Sequence, residues 1–260
     1  LSDHKFIFLN AKHFNDRKKS LLELSKHQDD KKIFNMLVSA FDDQNYQVQV
    51  LALEKIDLSG KYAKSKVISK IERISRTVKN NYVKAAAIKV LGRLVYFDYQ
   101  NFFEKSFDNE SNKVKGAALE ALYYLDKDSA ISRARKLPNN VKETIAYPLS
   151  KIYIEEKDIN ELEFVSKYVI QGMYMSNSDE TKALFKLGFE WVSKSNNIQA
   201  YKNITEDMVI KGKQYKKYDF DKQAILLMRG MVKEQDKLNN SNKKELIIIV
   251  NKALDRLMKA

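Results

Sequence analysis

Apolar residues recur along this chain at spacings of three and four, the period that places side chains on one face of an α-helix. Four segments share one phrase: a valine, usually a lysine after it, a small or apolar residue four positions on, and an aliphatic residue four beyond that. They are Val48-Gln49…Ala52…Ile56, Val83-Lys84…Ala87…Leu91, Val114-Lys115…Ala118…Leu122 and Val141-Lys142…Ile145…Leu149. Their valines lie 35, 31 and 27 residues apart, which fits one helix pair per repeat. Each phrase forms a narrow apolar seam, and its alanine admits a neighbouring helix closely. Polar turns precede the valines: Asp42-Asp43-Gln44-Asn45, Lys79-Asn80-Asn81, Asn109-Glu110-Ser111-Asn112 and Pro138-Asn139-Asn140, rich in good N-cap residues. Upstream of each turn lies a first helix of the pair, marked by Ile33, Met36, Leu37 and Phe41; by Val67, Ile68, Ile71 and Ile74; by Phe102 and Phe103; and by Ile131 and Leu137.

Helix, short polar turn, then a helix opening Val-Lys-x-x-Ala resembles the HEAT repeat, in which a basic second position commonly forms a ladder along the stack. Three copies match well. The fourth has Ile145 in the alanine slot and Pro148 inside the expected helix, where it should kink the backbone or interrupt its hydrogen bonds. Beyond it, helices are expected near 142–156, 160–171, 178–194, 197–211, 219–236 and 241–259, with Ser241 or Asn242 capping the last. Gly172-Met173-Tyr174-Met175-Ser176 and Lys237-Leu238-Asn239-Asn240 read as loops, and Trp191, following Leu184, Leu187 and Gly188, reads as core. The expected organisation is regular repeats over 1–150 and irregular helical repeats over 151–260, continuing the same solenoid.

Composition supports an all-α fold, an α-α superhelix of helix pairs. Only 7 glycines and 2 prolines occur in 260 residues, so tight turns are scarce, and 44% hydrophobic content is enough to bury a core. The absence of cysteine excludes disulfides, thiolate zinc ligands and cysteine nucleophiles, and fits a cytoplasmic and an exported protein alike. The longest aliphatic run, Leu246–Val250, falls well short of the roughly 20 residues a membrane helix needs. With no initiator methionine or signal sequence at Leu1-Ser2-Asp3-His4, the chain reads as a piece of a longer polypeptide.

A net charge of +13 raises the question of nucleic acid. Eight arginines stand against 39 lysines spread along the whole chain, point charges and not bidentate forks, which argues for a solvated surface and against a nucleic-acid partner. His4, His13 and His27 lack metal-ligand spacing and read as exposed. The seven glycines are scattered, so no phosphate loop is signalled. Asp42-Asp43 and Glu155-Glu156 read as caps or solvated pairs. The remaining binding candidates are the repeat lysines Lys84, Lys115 and Lys142, and a basic aromatic stretch: Lys211, Lys213, Tyr215, Lys216, Lys217, Tyr218 and Phe220. That stretch also reads as a basic helix C-terminus followed by the buried face of the next helix.

The segment Phe8-Leu9-Asn10-Ala11-Lys12-His13-Phe14-Asn15-Asp16-Arg17 carries an aromatic-x-x-Ala-x-x-aromatic-x-Asp-Arg pattern. It resembles the start of the C-terminal helical domain in a group of bacterial M1 zinc aminopeptidases, where HEAT-like repeats follow. The resemblance is strongest from Phe8 to Leu125. It implies a non-catalytic domain whose partners are its own upstream catalytic domain and that enzyme's peptide substrate. The zinc and the His-Glu-x-x-His helix belong to the parent, so no catalytic or metal residue is carried over to this chain. Two other classes compete: a HEAT-like DNA-binding protein or DNA glycosylase, and a free-standing protein-binding scaffold.

Overall fold

The structure, a computed structural model, describes residues 1–63, 65–108, 111–175 and 179–259; it is all-helical, with no strand among them. The chain forms two compact units, Leu1–Ile145 and Ala146–Ala260.

The first unit contains α1 (Ser2–Asn10), α2 (Phe14–Leu24), α3 (Lys31–Ser39), α4 (Tyr46–Lys55), α5 (Ser65–Thr77), α6 (Asn81–Arg93), α7 (Gln100–Phe107), α8 (Asn112–Leu125), α9 (Lys127–Arg135) and α10 (Asn139–Thr144). Helices α2, α4, α6 and α8 lie side by side, with α3, α5 and α7 packed on α4, α6 and α8. The repeated phrase supplies the contact: Val48, Ala52, Val83, Ala87, Leu91, Val114, Ala118 and Leu122 are all buried. Removing each of these valine and leucine side chains from water contributes about 1.5–3 kcal/mol. Helices α6 and α8 approach closely where Gly92 faces Ala121; a methyl group on residue 92 would lie 2.7 Å from the Ala121 Cα. Asn45 and Asn80 cap α4 and α6, their side chains accepting from the amides of Gln47 and Tyr82, each at 2.9 Å. Asn109 and Glu110, expected in the turn before α8, lie outside the described residues.

A buried ion pair closes the start of this unit. Arg17 donates through Nε and Nη2 to the two carboxylate oxygens of Asp43, at 2.9 and 2.8 Å, and through Nη1 to the carbonyls of Ala11 and Lys12, at 3.0 and 2.9 Å. Both side chains are under a tenth exposed. Asp43 also accepts from the Asn45 amide at 2.8 Å, so one carboxylate links α2 to the turn that launches α4.

The fourth copy of the phrase departs from a single helix. Within an unbroken helix, the Thr144 carbonyl would need the amide of residue 148, which is proline. Helix α10 ends at Thr144, Ile145 takes φ −120° and ψ 29°, and a new helix starts at Ala146. Val141 and Lys142 therefore sit on one helix and Leu149 on the next. Pro148 falls in the first turn of its helix, where a missing amide costs nothing.

The second unit contains α11 (Ala146–Glu156), α12 (Leu162–Ser166), α13 (Val169–Met175), α14 (Asp179–Lys194), α15 (Ile198–Gln214), α16 (Phe220–Lys237) and α17 (Lys243–Met258). The helix expected over 160–171 is instead two helices, α12 and α13. Residues 172–175, read as loop, belong to α13, while Ser176 lies outside the described residues. Gly172 is a packing position: a Cβ there would come within 2.1 Å of the Phe185 ring on α14. Helix α14 buries Phe185, Phe189 and Val192, whereas Trp191 is half-buried and Leu187 is 58% exposed. The expected Leu184–Leu187–Trp191 face thus gives way to a neighbouring stripe on the same helix.

Helix α6 ends in an uncommon way. Val95 has φ 53°, left-handed backbone at a β-branched residue where glycine is usual, at a cost of about 1–2 kcal/mol.

Arg17→Ala leaves the Asp43 carboxylate buried without its counter-charge, and is expected to lower the free energy of urea unfolding by about 3–5 kcal/mol, with much of the loss recovered in Arg17→Met/Asp43→Leu. Gly92→Ala should cost about 1–3 kcal/mol in the same measurement, because α6 and α8 must separate.

Candidate functional site

The repeat lysines meet different surroundings. Lys142 is buried; Lys115 places its ammonium 5.3 Å from the centre of the Phe107 ring; Lys84 is half-buried on α6. Polar links between successive pairs also run through other residues. Lys18 donates to Gln47 at 3.0 Å, Lys70 to Asp42 at 2.6 Å and to the Val38 carbonyl at 3.0 Å, and Lys89 pairs with Glu120 at 3.0 Å. Asp42 and Asp43, adjacent in sequence, serve two different helices, α5 through Lys70 and α2 through Arg17. The sequence signal for Arg17 was its place in the Phe8–Arg17 pattern. Nothing local marked Asp43 as its partner, 26 residues away.

The turn edge of the first unit carries aromatic rings. Tyr46 and Tyr82, at the starts of α4 and α6, lie 5.6 Å apart between ring centres, and the Lys113 ammonium sits 5.3 Å from Tyr82. These contacts place the N-terminal ends of α4, α6 and α8 side by side.

The basic aromatic stretch of the second unit is spread out by the fold. Lys211 pairs with Asp207 at 2.7 Å, one turn back on α15. Burial pushes the Asp207 carboxyl up from its ordinary value, the hydrogen bond from Lys211 opposing it. Lys213, Lys216 and Lys217 are exposed, and Lys217 lies 4.8 Å over the Tyr218 ring. Phe220 is buried as the first residue of α16 and meets Tyr174 edge to face at 4.8 Å. Lys211 and Lys213 lie in the last turn of α15 and Phe220 on the buried face of α16, while Lys216, Lys217 and Tyr218 between them are exposed.

One well-connected polar group is not flagged by the sequence. Gln235, fully buried on α16, donates to the carbonyls of Ser193 and Ser195 at 2.9 and 3.2 Å and to the Tyr201 hydroxyl at 2.7 Å. Tyr201 donates in turn to the Ser193 carbonyl, and Asn240 donates to Gln235 at 2.7 Å. Asn196 and Asn242 extend the set to the start of α17, the Asn242 amide donating to Asn196 at 3.1 Å. This network satisfies the end of α14 and ties α15, α16 and α17 to it.

The histidines have separate surroundings. His13 caps α2, its Nδ1 accepting from the Asn15 amide at 3.2 Å; His27 is exposed; the His4 Nδ1 is enclosed without a hydrogen-bond partner. No helix among the described residues is long and apolar enough to cross a membrane. No protein-family model and no curated protein matches this sequence.

Burial pushes the Tyr201 phenol up to about 12. An unfolded tyrosine ionises near 10, so the Tyr201 contribution is fully present below about pH 10 and is lost as pH rises towards 12. Urea unfolding between pH 8 and 11 should show stability falling above pH 10, and Tyr201→Phe should lessen that fall.

Proposed function

We propose that this chain is a non-catalytic helical domain of an M1-type zinc aminopeptidase, packing beside the catalytic domain and restricting which peptides reach its zinc. The observation that carries the reading is the Phe8–Arg17 pattern together with what its residues do. Phe8 is buried, and Arg17 holds the carbonyls of Ala11 and Lys12 while reaching across to Asp43. The pattern is thus a device for starting an array of helix pairs, which explains why it stands directly before one.

Restriction of access is a task for a rigid surface, and paired helices packed through small residues supply one. On this reading the zinc is held by residues outside this chain, and nothing here takes part in bond cleavage. The contribution to catalysis is steric, through exclusion of bulk water and of peptides that do not fit.

The test begins with the coding sequence: a His-Glu-x-x-His motif with a downstream glutamate should precede Leu1 in the same reading frame, and its absence overturns the proposal. Given the motif, the polypeptide with and without residues 1–260 is compared on a single-residue aminoacyl reporter and on peptides of increasing length. The expected result is reporter hydrolysis by both and a length preference that changes on removal of the domain. Salt-dependent binding of duplex DNA by the 260-residue chain would favour the DNA-binding reading instead.

A further inference from the structure

Helix α1 turns most of its apolar side chains outward. Phe8 is buried against the first unit, with His4 and Lys5 half-buried beside it, and Lys5 reaches Asp30 at 3.2 Å. The helical period then points Phe6 and Leu9 away from the unit, where they are 68 and 67% exposed. These two are neighbours on the helix surface, one turn apart, and together they form an apolar face with no partner inside the chain.

The helix is held in place by its other side. Just past its end, Arg17 binds the carbonyls of Ala11 and Lys12 at 3.0 and 2.9 Å, and Ala11 is extended, with φ −68° and ψ 127°. The backbone of Lys12 is therefore fixed while its side chain is exposed. Asp3, in the first turn, is exposed as well and accepts from the neighbouring Ser2 hydroxyl at 3.4 Å. Neither Asp3 nor Lys12 makes an ion pair among the described residues.

The order of these side chains selects the partner. Asp3, Phe6, Leu9 and Lys12 follow one another at intervals of three, an acid at one end, a base at the other and apolar residues between. Such an order is complementary to itself turned end for end. In two antiparallel copies Phe6 of one opposes Leu9 of the other and Asp3 opposes Lys12, and both pairs share a midpoint, so one two-fold axis satisfies them together. Antiparallel packing also sets the positive end of each helix dipole against the negative end of its neighbour. A polyanion finds no row of cations here, because the outward charge on the helix itself is Asp3. The +13 of each chain opposes association, but at physiological salt it is screened beyond about 8 Å, whereas Asp3 and Lys12 act at closer range.

We propose that α1 is a self-association surface, on which a second copy of this chain docks antiparallel through Phe6 and Leu9, with Asp3 and Lys12 fixing the direction. The contact depends on α1 alone and is independent of the peptidase reading. A helix of 9 residues covers less than the roughly 800 Å² per partner of a standard interface, so the dimer is weak, with a dissociation constant of about 0.1 mM.

The experiment is sedimentation equilibrium of the 260-residue chain from about 10 µM to about 1 mM, a range that brackets this constant. The average mass should rise from that of a monomer towards that of a dimer. Phe6→Asp, at a water-facing position, should weaken association by at least about tenfold and leave the helical circular dichroism unchanged. Asp3→Lys and Lys12→Asp should each weaken it by about fivefold, since the two-fold axis makes every charge reversal count twice. The double exchange Asp3→Lys/Lys12→Asp should restore it. A monomer at every concentration overturns the self-association, as does a dimer that survives Phe6→Asp or a double exchange no stronger than either single variant. Binding to anionic lipid vesicles through Phe6 with no self-association would give the face to a membrane surface and overturn it equally.

Discussion

The first unit depends on how closely its second helices approach one another. Ala52, Ala87 and Ala118 keep α4, α6 and α8 near together, and at Gly92 the contact becomes backbone against Ala121. Close approach sets register as well as distance, because ridges meet grooves in few ways. With the seam in register, the starts of the helices align along one edge, where Tyr46, Tyr82 and Lys113 meet. Their ends align at the other, where the turn after α6 emerges beside the end of α8. Larger residues in the seam would separate the helices and shift both edges together.

The two units solve the problem of buried polarity differently. In the first, a full charge pair does the work: Arg17 fills all three of its reachable nitrogens with oxygen acceptors, so the desolvation of both ions is offset by geometry that a lysine could not reproduce. In the second, neutral amides and a phenol cover the exposed carbonyls at the end of α14. A neutral network carries a smaller desolvation cost, but each member matters, since a half-satisfied set is worse than an apolar core. Arg17 and Asp43 thus anchor the beginning of the chain, and the Gln235 amide the end of α14.

The regular part of the fold was legible because one period governs it. Val48, Val83 and Val114 each open a helix after a polar turn, and the sequence shows both the seam and the caps. Pro148 was legible as a disruption, but the break falls at Ile145, since proline withdraws the amide that Thr144 would have bonded four residues back. Gly172 misled because a glycine among mixed residues looks like a turn, while here it makes room for Phe185. Trp191 misled because two adjacent stripes on α14 are both apolar, and only tertiary packing chooses between them. The polar partnerships were the least visible. Arg17–Asp43 and Gln235–Ser193 join residues 26 and 42 apart, and no local pattern encodes such distances.

Where the chain departs from what stability favours, the departures differ in kind. The enclosed Asp207 carboxylate has Lys211 as counter-charge, and the left-handed Asp219 is a residue type that tolerates that backbone. Val95 has no such compensation: its side chain resists its own φ, and the residues after it turn aromatic rings towards water. A turn under selection for folding alone would carry glycine or asparagine there and polar residues beyond. The same helix packs Gly92 against Ala121 on α8, so the end of α6 is fixed in place before the turn begins.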